Sequence, residues 1–169
     1  MYEQVALEFG GALNRLARAY ETDPDRRQDL LQDIHIALWR SFATFSGRCS
    51  LRTWVYRVAH NVATSQVVRR RARSRKLVSL DELAAMPGEQ DSERLYDRQL
   101  TLDRLLTLIH ALQPVDRQLI LLYLEGVDAV SIGEITGISS ANVATRVHRI
   151  KQMLARRFHK GGVHDPTNA

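Results

Sequence analysis

Residues 129–158 read AVSIGEITGISSANVATRVHRIKQMLARRF, and their spacing predicts two helices joined by a tight turn. Gly137-Ile138-Ser139 interrupts the apolar pattern, and Ser139 is a residue type favoured just before a helix. We expect a short helix over residues 129–136 and a longer one over residues 140–158. The apolar stripe of the longer helix contains Val143, Val147, Ile150 and Leu154. This arrangement is typical of a helix-turn-helix.

Apolar residues recur at steps of three and four along most of the preceding sequence, which predicts further helices. Those helices cover approximately residues 3–20, 25–42, 51–72, 93–112 and 115–125. Asp23 and Ser50 are placed to cap two of them, and Pro114 and Gly126 mark boundaries between others. The predicted fold class is all-α, with two small helical domains joined by a flexible linker.

The linker is predicted over residues 77–92, which include Pro87-Gly88 and show no strong periodicity. Acidic residues there favour an extended and soluble segment. We expect an N-terminal domain over residues 1–76, a C-terminal domain over residues 93–160 and a disordered tail over residues 161–169. A chain of 169 residues is long enough for two such domains.

Charge is segregated along the chain. Residues 34–80 contain no Asp or Glu but ten Arg and Lys, and residues 135–164 contain no acid and six Arg and Lys. Between them, residues 81–103 hold seven acids against two bases. Long surfaces without acids attract polyanions, so the layout predicts two nucleic-acid contacts joined by a spacer.

Several classes of function are disfavoured by the composition. The lone Cys49 fits a reducing cytosol, no apolar run approaches the ~20 residues that span a bilayer, and the N-terminus lacks a signal-peptide layout. We therefore expect a cytoplasmic protein without membrane insertion. Asp29 and Asp33 share a helix face, as a metal-dependent nuclease would need, but no histidine or cysteine cluster and no phosphate-binding glycine loop accompanies them. We expect no metal, no cofactor and no enzymatic activity.

Two segments resemble a known family. Residues 29–40 (DLLQDIHIALWR), 45–48 (FSGR) and 50–61 (SLRTWVYRVAHN) are similar to region two of bacterial sigma factors, within them to the extracytoplasmic-function (ECF) group. Residues 112–117 (LQPVDR), 121–126 (LLYLEG), 137–139 (GIS) and 143–149 (VATRVHR) resemble region four. Both segments occur in the order in which the family has them.

The resemblance implies a protein that binds core RNA polymerase, through the clamp coiled coil of its largest subunit and through its flap, and directs it to promoter DNA. An anti-sigma factor is a further expected partner. The implied core-binding residues are Asp29, Gln32, Asp33, Trp39 and Arg40. From spacing alone, the same residues also fit an ordinary solvated helix face.

The resemblance further assigns the third helix and the loop before it to recognition and melting of the minus-ten element. The implied residues are Arg48, Arg52, Trp54, Arg57, Asn61, Ser65, Arg69 and Arg70. Asn61 matches the position that touches a flipped base, whereas Arg52 and Arg57 are expected to hold phosphates. Trp54 is also placed to pack in the core, and residues 69–76 also fit a frayed, solvated helix end.

The predicted helix-turn-helix is assigned to the minus-thirty-five element. Its candidate residues are Ser140, Asn142, Thr145, Arg146 and Arg149. Their side chains are donors of the kind that read base edges, but Arg146 and Arg149 fit phosphate contacts as well. The alternative function is a stand-alone helix-turn-helix transcriptional regulator, which leaves the acid-free third helix without a role.

Overall fold

The computed structural model describes residues 2–76 and 93–160, which form seven α-helices and one short 3-10 turn. The predicted linker over residues 77–92 and the predicted tail over residues 161–169 lie outside the described residues. The expected all-α fold is confirmed for the part of the chain that is described. None of these helices combines the length and the hydropathy needed to cross a bilayer.

The N-terminal unit contains three helices, α1 (Tyr2–Tyr20), α2 (Pro24–Ser41) and α3 (Leu51–Lys76), with a 3-10 turn at Phe42–Thr44 after α2. The helix α3 continues past residue 72, where the sequence analysis ended it, because residues 73–76 include no Gly or Pro to stop it. The 3-10 turn begins at Phe42, the last residue of the predicted second helix.

Both predicted caps of this unit are present. The Asp23 carboxylate accepts a hydrogen bond from the Arg26 amide at 3.0 Å, and the Ser50 hydroxyl accepts one from the Thr53 amide at 3.0 Å. Each cap satisfies an amide that would otherwise have no partner in the first helical turn. The starts of α2 and α3 are therefore encoded locally.

The inward face that apolar spacing predicts for α1 is buried in full: Val5, Phe9, Leu13, Leu16 and Tyr20. Of the five residues predicted to face inward on α2, Leu30, Ile34 and Leu38 are buried, whereas Leu31 and Phe42 are half-buried. For α3 the spacing predicts a buried stripe of Leu51, Val55, Val58 and Val62, and the observed buried face is displaced from it. Leu51, Val58 and Val62 are only half-buried. The buried side chains of this helix are instead Thr53, Trp54, Val55, Tyr56, Ala59, His60 and Ala63. The reason is that α3 packs against α1 and α2 on one side and against the C-terminal unit on another, so that its buried face is wide.

The C-terminal unit contains α4 (Glu93–His110), α5 (Pro114–Leu124), α6 (Ala129–Thr136) and α7 (Ser140–Lys160). All four residues of the predicted stripe on α7 are buried. Pro114 begins α5 at a position where its missing amide proton costs nothing. Gly126 and Gly137 adopt φ angles of 71° and 77°, which residues with a side chain rarely take, and they terminate α5 and α6.

The two units pack against each other. The helix α1 contacts α4, and α3 contacts both α5 and α6. The buried apolar residues of the two units belong to one connected cluster. Nothing in the periodicity of the sequence predicted this contact, since each unit has an apolar face of its own.

Candidate nucleic-acid interface

The exposed face of α2 carries the predicted core-binding residues. Asp29, Gln32, Asp33, Trp39 and Arg40 are all exposed. The Trp39 side chain is 65% exposed, and Ile36, which the sequence analysis did not single out, is 39% exposed beside it on the same face. Ile36 was open to prediction, because it lies at helical steps of three and four from Asp33, Trp39 and Arg40.

The face of α2 has the chemistry of a docking surface. An exposed indole next to carboxylates suits a helical partner that offers an apolar notch and basic side chains. Asp33 also accepts a hydrogen bond from the Gln66 amide nitrogen at 2.9 Å, which ties this face of α2 to α3. The surface is therefore held by both helices.

The predicted minus-ten residues line α3 and the loop before it. Arg48, Asn61, Ser65 and Arg69 are exposed. Arg70 is exposed as well, but its guanidinium is paired with the Glu21 carboxylate at 2.8 Å. The structure thus leaves a polar and cationic strip along α3 in which Arg70 is partly neutralised.

Trp54 lies in the core rather than on the strip. Its side chain is 9% exposed, and its ring packs against Phe42 and Phe45 with centroid separations of 4.8 Å and 5.1 Å. Because these rings cover it, no ring face remains for stacking on a base. The assignment of Trp54 to minus-ten DNA is therefore wrong: the residue packs in the core, as the sequence also allowed. It supports the loop through its contact with Phe45.

Arg52 and Arg57 point toward the C-terminal unit. The Arg57 Nη2 donates to the Glu134 carbonyl oxygen at 3.0 Å, and Arg52 donates to the Glu125 carbonyl oxygen. Both guanidinium groups therefore hold backbone oxygens of the second unit in this arrangement.

Glu125 is contacted by three side chains of the N-terminal unit: Arg52 at its carbonyl oxygen, and Arg15 and Tyr56 at its carboxylate. Arg15 donates through Nε to one carboxylate oxygen and through Nη2 to the other, both at 2.7 Å, and the Tyr56 hydroxyl donates at 3.3 Å. The Arg15 side chain is 63% exposed, whereas that of Glu125 is 17% exposed. A two-pronged arginine–carboxylate pair of this kind fixes orientation as well as distance. Glu125 could not be predicted from the sequence, since its arginine partner lies 110 residues away.

The helix-turn-helix is closely packed at its turn. A Cβ atom at Gly133 would lie 2.7 Å from the Ile138 carbonyl oxygen, so only glycine fits there without a shift. At the start of α6, the Asp128 carboxylate accepts from the amides of Val130 and Ser131, both at 3.0 Å, and from the Ser131 hydroxyl at 2.7 Å. The hydrogen bonds from the Ser131 amide and hydroxyl lower the pKa of Asp128.

On the helix α7, four of the five predicted DNA-contact residues are exposed. Ser140, Asn142, Thr145 and Arg149 are exposed, and the Thr145 hydroxyl donates to the Ala141 carbonyl at 3.0 Å. Arg146 differs, because its Nε and Nη2 both donate to one oxygen of Asp116, at 3.1 Å and 2.7 Å. Asp116 was not identified from the sequence, since it lies on a different helix 30 residues earlier.

A basic cleft of about 430 Å³ adjoins this pair. It is lined by Arg146, Arg149, Arg156 and Arg157, with Asp116 as the acid at its edge and Met153 among the apolar side chains. A surface with this excess of guanidinium groups favours phosphate. The positive charge of the second acid-free stretch is thus concentrated beside α7.

Two family profiles match separate parts of the chain. The family profile described as Sigma-70 region 2 matches residues 7–74, and the one described as Sigma-70, region 4 matches residues 102–154. The chain therefore belongs to the sigma-70 family of RNA polymerase sigma factors, in its ECF group.

Individual relatives are distant. The chain is 28% identical over 164 residues to RNA polymerase sigma factor YlaC of Bacillus subtilis, a match that covers 95% of this chain and 91% of that protein. It is 26% identical over 156 residues to ECF RNA polymerase sigma factor SigE of Mycolicibacterium smegmatis, covering 90% of this chain but only 60% of the relative.

Among solved structures, the sigma factor RpoE of Bartonella quintana, in complex with the anti-sigma factor NepR, has the same fold. The TM-score is 0.72 at 22% identity, and the match covers 94% of this chain and 96% of the other.

Proposed function

We propose that this protein binds core RNA polymerase and directs it to specific promoters, melting the minus-ten element with the N-terminal unit and reading the minus-thirty-five element with the C-terminal unit. The observation that carries the proposal is the occurrence of both family regions in one chain, each with most of its predicted polar residues exposed. No catalytic residue is needed, because the polymerase carries out the chemistry.

The core-binding surface in this proposal is the face of α2 with Trp39 at its centre. The clamp coiled coil of the largest subunit is the proposed partner, and the flap is the proposed partner of the C-terminal unit. Exposed apolar residues on α5 and α6 support the second contact, since Leu124 and Val130 are 55% and 62% exposed.

The proposed minus-ten surface consists of Arg48, Arg52, Arg57, Asn61, Ser65, Arg69 and Arg70. Asn61 contacts a base flipped out of the non-template strand, and the arginines hold phosphates. The exposed polar strip along α3 supports this division of roles, and Trp54 acts in it only through packing.

The proposed minus-thirty-five surface is the exposed face of α7. Ser140, Asn142, Thr145 and Arg149 enter the major groove, and Arg146 contacts DNA from its place beside Asp116. The basic cleft supports a phosphate contact in the same region.

An anti-sigma factor is proposed as the inhibitory partner. The support is a shared fold with a sigma factor solved in such a complex.

The test is transcription in vitro with purified core polymerase and a pool of genomic promoters. We expect the protein to join core enzyme and to select discrete start sites. A stand-alone regulator would instead bind duplex promoter DNA tightly without polymerase. Failure to join core enzyme, together with tight binding of duplex DNA by the free chain, would replace the proposal with that alternative.

A further inference from the structure

A cavity of about 330 Å³ is lined by residues of α1, α3, α4 and α5. Its volume is at the lower end of the range of about 300–1,000 Å³ that is typical of small-molecule sites. Most of the lining is apolar, with Leu16, Leu105, Leu106, Ile109 and Leu121 among the side chains. Apolar atoms that face a cavity lack the close contacts of a packed core, and a ligand of suitable shape supplies them. The cavity is therefore a candidate site for an apolar molecule.

The cavity has a deep floor and an open mouth. Leu16, Ile109 and His60 lie at the floor, since each of them is at most 3% exposed. Leu102 and Leu124 line the same cavity but are 51% and 55% exposed, which places them at its mouth. The site therefore opens to solvent beside these two leucines, and a ligand can enter there.

The polar groups at and near the floor need no charged partner from a ligand. Nδ1 of His60 lies 3.1 Å from the Tyr20 hydroxyl, and burial lowers the pKa of His60 to about 3, so its ring is neutral at pH 7. The Glu125 carboxylate is paired with Arg15 at 2.7 Å and accepts a hydrogen bond from the Tyr56 hydroxyl. The floor is thus suited to an uncharged part of a ligand.

Arg18 also lines the cavity, and its acidic partner is a weak one. Its guanidinium lies 3.7 Å from the Asp103 carboxylate, and the two side chains are 43% and 53% exposed. An ion pair of this length and exposure contributes little to stability, so another anion can replace the carboxylate at little cost. The Arg18 guanidinium can therefore bind an anionic group of a molecule whose apolar part lies inside the cavity.

We propose that this cavity binds a small amphipathic anion, namely a carboxylate on an unbranched apolar chain. The chain packs over Leu16, Leu105 and Ile109, and the carboxylate lies beside Arg18. At about 30 Å³ for each non-hydrogen atom, as for a water molecule in the liquid, the cavity holds roughly ten such atoms, which fits a medium-chain fatty acid. No residue of the lining is assigned to promoter DNA, so the site is independent of the proposed function.

The experiment is isothermal titration calorimetry on the full chain, with decanoate as the probe at concentrations below those at which it forms micelles. Decylammonium has the same chain with the opposite charge, and decanol has it without a charge. These two probes separate the contribution of the apolar cavity from that of the guanidinium.

Two variants test the site, each with a matched control. Leu102→Trp places a bulky side chain at the mouth, and Leu100→Trp is its control, because Leu100 is 46% exposed on the same helix but does not line the cavity. Arg18→Ala removes the guanidinium, and Arg26→Ala removes an exposed arginine of α2 as the control for lost charge. Circular dichroism checks the fold of each variant.

We expect decanoate to bind at one site and decylammonium to bind about tenfold more weakly, because its charge is the same as that of Arg18. Leu102→Trp should weaken decanoate binding about tenfold through overpacking, whereas Leu100→Trp should leave it unchanged. Arg18→Ala should weaken decanoate binding about fivefold, as for an exposed ion pair, and leave decanol binding unchanged. Arg26→Ala should change neither.

Three results would overturn the proposal. One is the absence of decanoate binding with a Kd below about 1 mM. Another is the same decanoate affinity in Leu102→Trp as in Leu100→Trp, which would place the binding elsewhere on the protein. The third is an equal loss in Arg18→Ala and Arg26→Ala, which would indicate attraction to the net charge of the chain; this comparison decides alone if Leu102→Trp does not fold. A chain that fails to join core polymerase would remove the proposed function and leave these outcomes unaffected.

Discussion

Gly133 brings α6 into close contact with the turn that precedes α7. Its side-chain hydrogen points at the Ile138 carbonyl oxygen, which a Cβ would approach to 2.7 Å. Backbone atoms cannot move aside as a flexible side chain does. Only glycine therefore fits at this position, even though glycine is otherwise unfavourable inside a helix.

Gly133→Ala is expected to lower the free energy of unfolding by about 1–3 kcal/mol, the usual cost of forcing extra volume into a packed site. Urea denaturation followed by circular dichroism measures it. The matched control is Gly10→Ala on α1, where a Cβ meets nothing within 4 Å. There, alanine should stabilise by about 0.5–1 kcal/mol through helix propensity. Equal effects of the two substitutions would contradict the close approach at Gly133.

His60 is a buried titratable residue of α3. It is 1% exposed, its Nδ1 lies 3.1 Å from the Tyr20 hydroxyl, and burial lowers its pKa from 6.5 to about 3. Burial likewise raises the pKa of Tyr20, so both groups stay neutral near pH 7. As the pH falls below about 6.5, the unfolded chain takes up a proton that the folded chain refuses.

The free energy of unfolding is therefore expected to fall as the pH falls from about 6.5 toward 3, with His60 alone accounting for roughly 2 kcal/mol at pH 5. Urea titrations at pH 5 and pH 7 measure the difference. His60→Gln keeps a polar group for Tyr20 but does not titrate, so its difference between the two pH values should be smaller. If the variant shows the same difference as the unsubstituted protein, His60 is not the cause.

At the scale of the element, α2 divides into a buried face and an exposed face, which is the proposed docking surface. The buried side is anchored by Leu30, Ile34 and Leu38, and Trp39 lies on the other side. Truncation of an exposed tryptophan costs the most binding free energy when that residue is the anchor of an interface. The structure thus concentrates the proposed core contact on one residue.

Trp39→Ala is expected to weaken binding to core polymerase by about 2 kcal/mol, or roughly thirtyfold in Kd, with little change in stability. Fluorescence anisotropy with labelled protein measures the affinity. Leu7→Ala is the control, since Leu7 is 86% exposed and lies on α1, outside the residues of the proposed surface. An undiminished affinity for core enzyme in Trp39→Ala would place the docking surface elsewhere.

The helix α7 contains two arginines of different kinds. Arg149 is exposed and makes no ion pair with the described part of the chain, whereas Arg146 is paired with Asp116 at 2.7 Å. The Asp116 side chain is 27% exposed, so removal of its partner costs some stability. The two residues can therefore be separated experimentally.

Arg146→Ala is expected to lower both promoter-specific run-off transcription and stability, the latter by about 0.5–1 kcal/mol as for a half-exposed ion pair. Arg149→Ala should lower transcription alone. Run-off assays and urea denaturation of both variants measure the two effects. A loss of stability without any loss of transcription in Arg146→Ala would show that this arginine is structural and remove it from the proposed DNA surface.

At the scale of the whole molecule, the two units share one apolar cluster and one set of charged contacts. The charges that cross between them come from arginines in the first acid-free stretch or in α1 and from acids or carbonyl groups of the second unit. The same segregation of charge that favours DNA therefore also favours association of the units with each other.

Local chemistry made much of this molecule predictable. Periodicity of three and four residues, together with Asp23, Ser50, Pro114 and Gly137, gives helices that begin and end within a few residues of the observed positions, because caps and breakers act on their immediate neighbours. The exposed faces of α2 and α7 could be predicted for the same reason. The buried face of α3 could not, since burial there depends on a second unit that packs against it.

The amino-acid sequence alone was sufficient to predict the helices, their caps, the helix-turn-helix and the separation of charge. All of these depend on neighbours a few positions apart. Only the packed chain decided that Trp54 is covered by two phenylalanine rings, that Asp116 holds Arg146, and that Glu125 joins Arg15 across 110 positions. Such pairs arise when helices distant in the sequence are brought side by side, and no local pattern encodes which of them will meet.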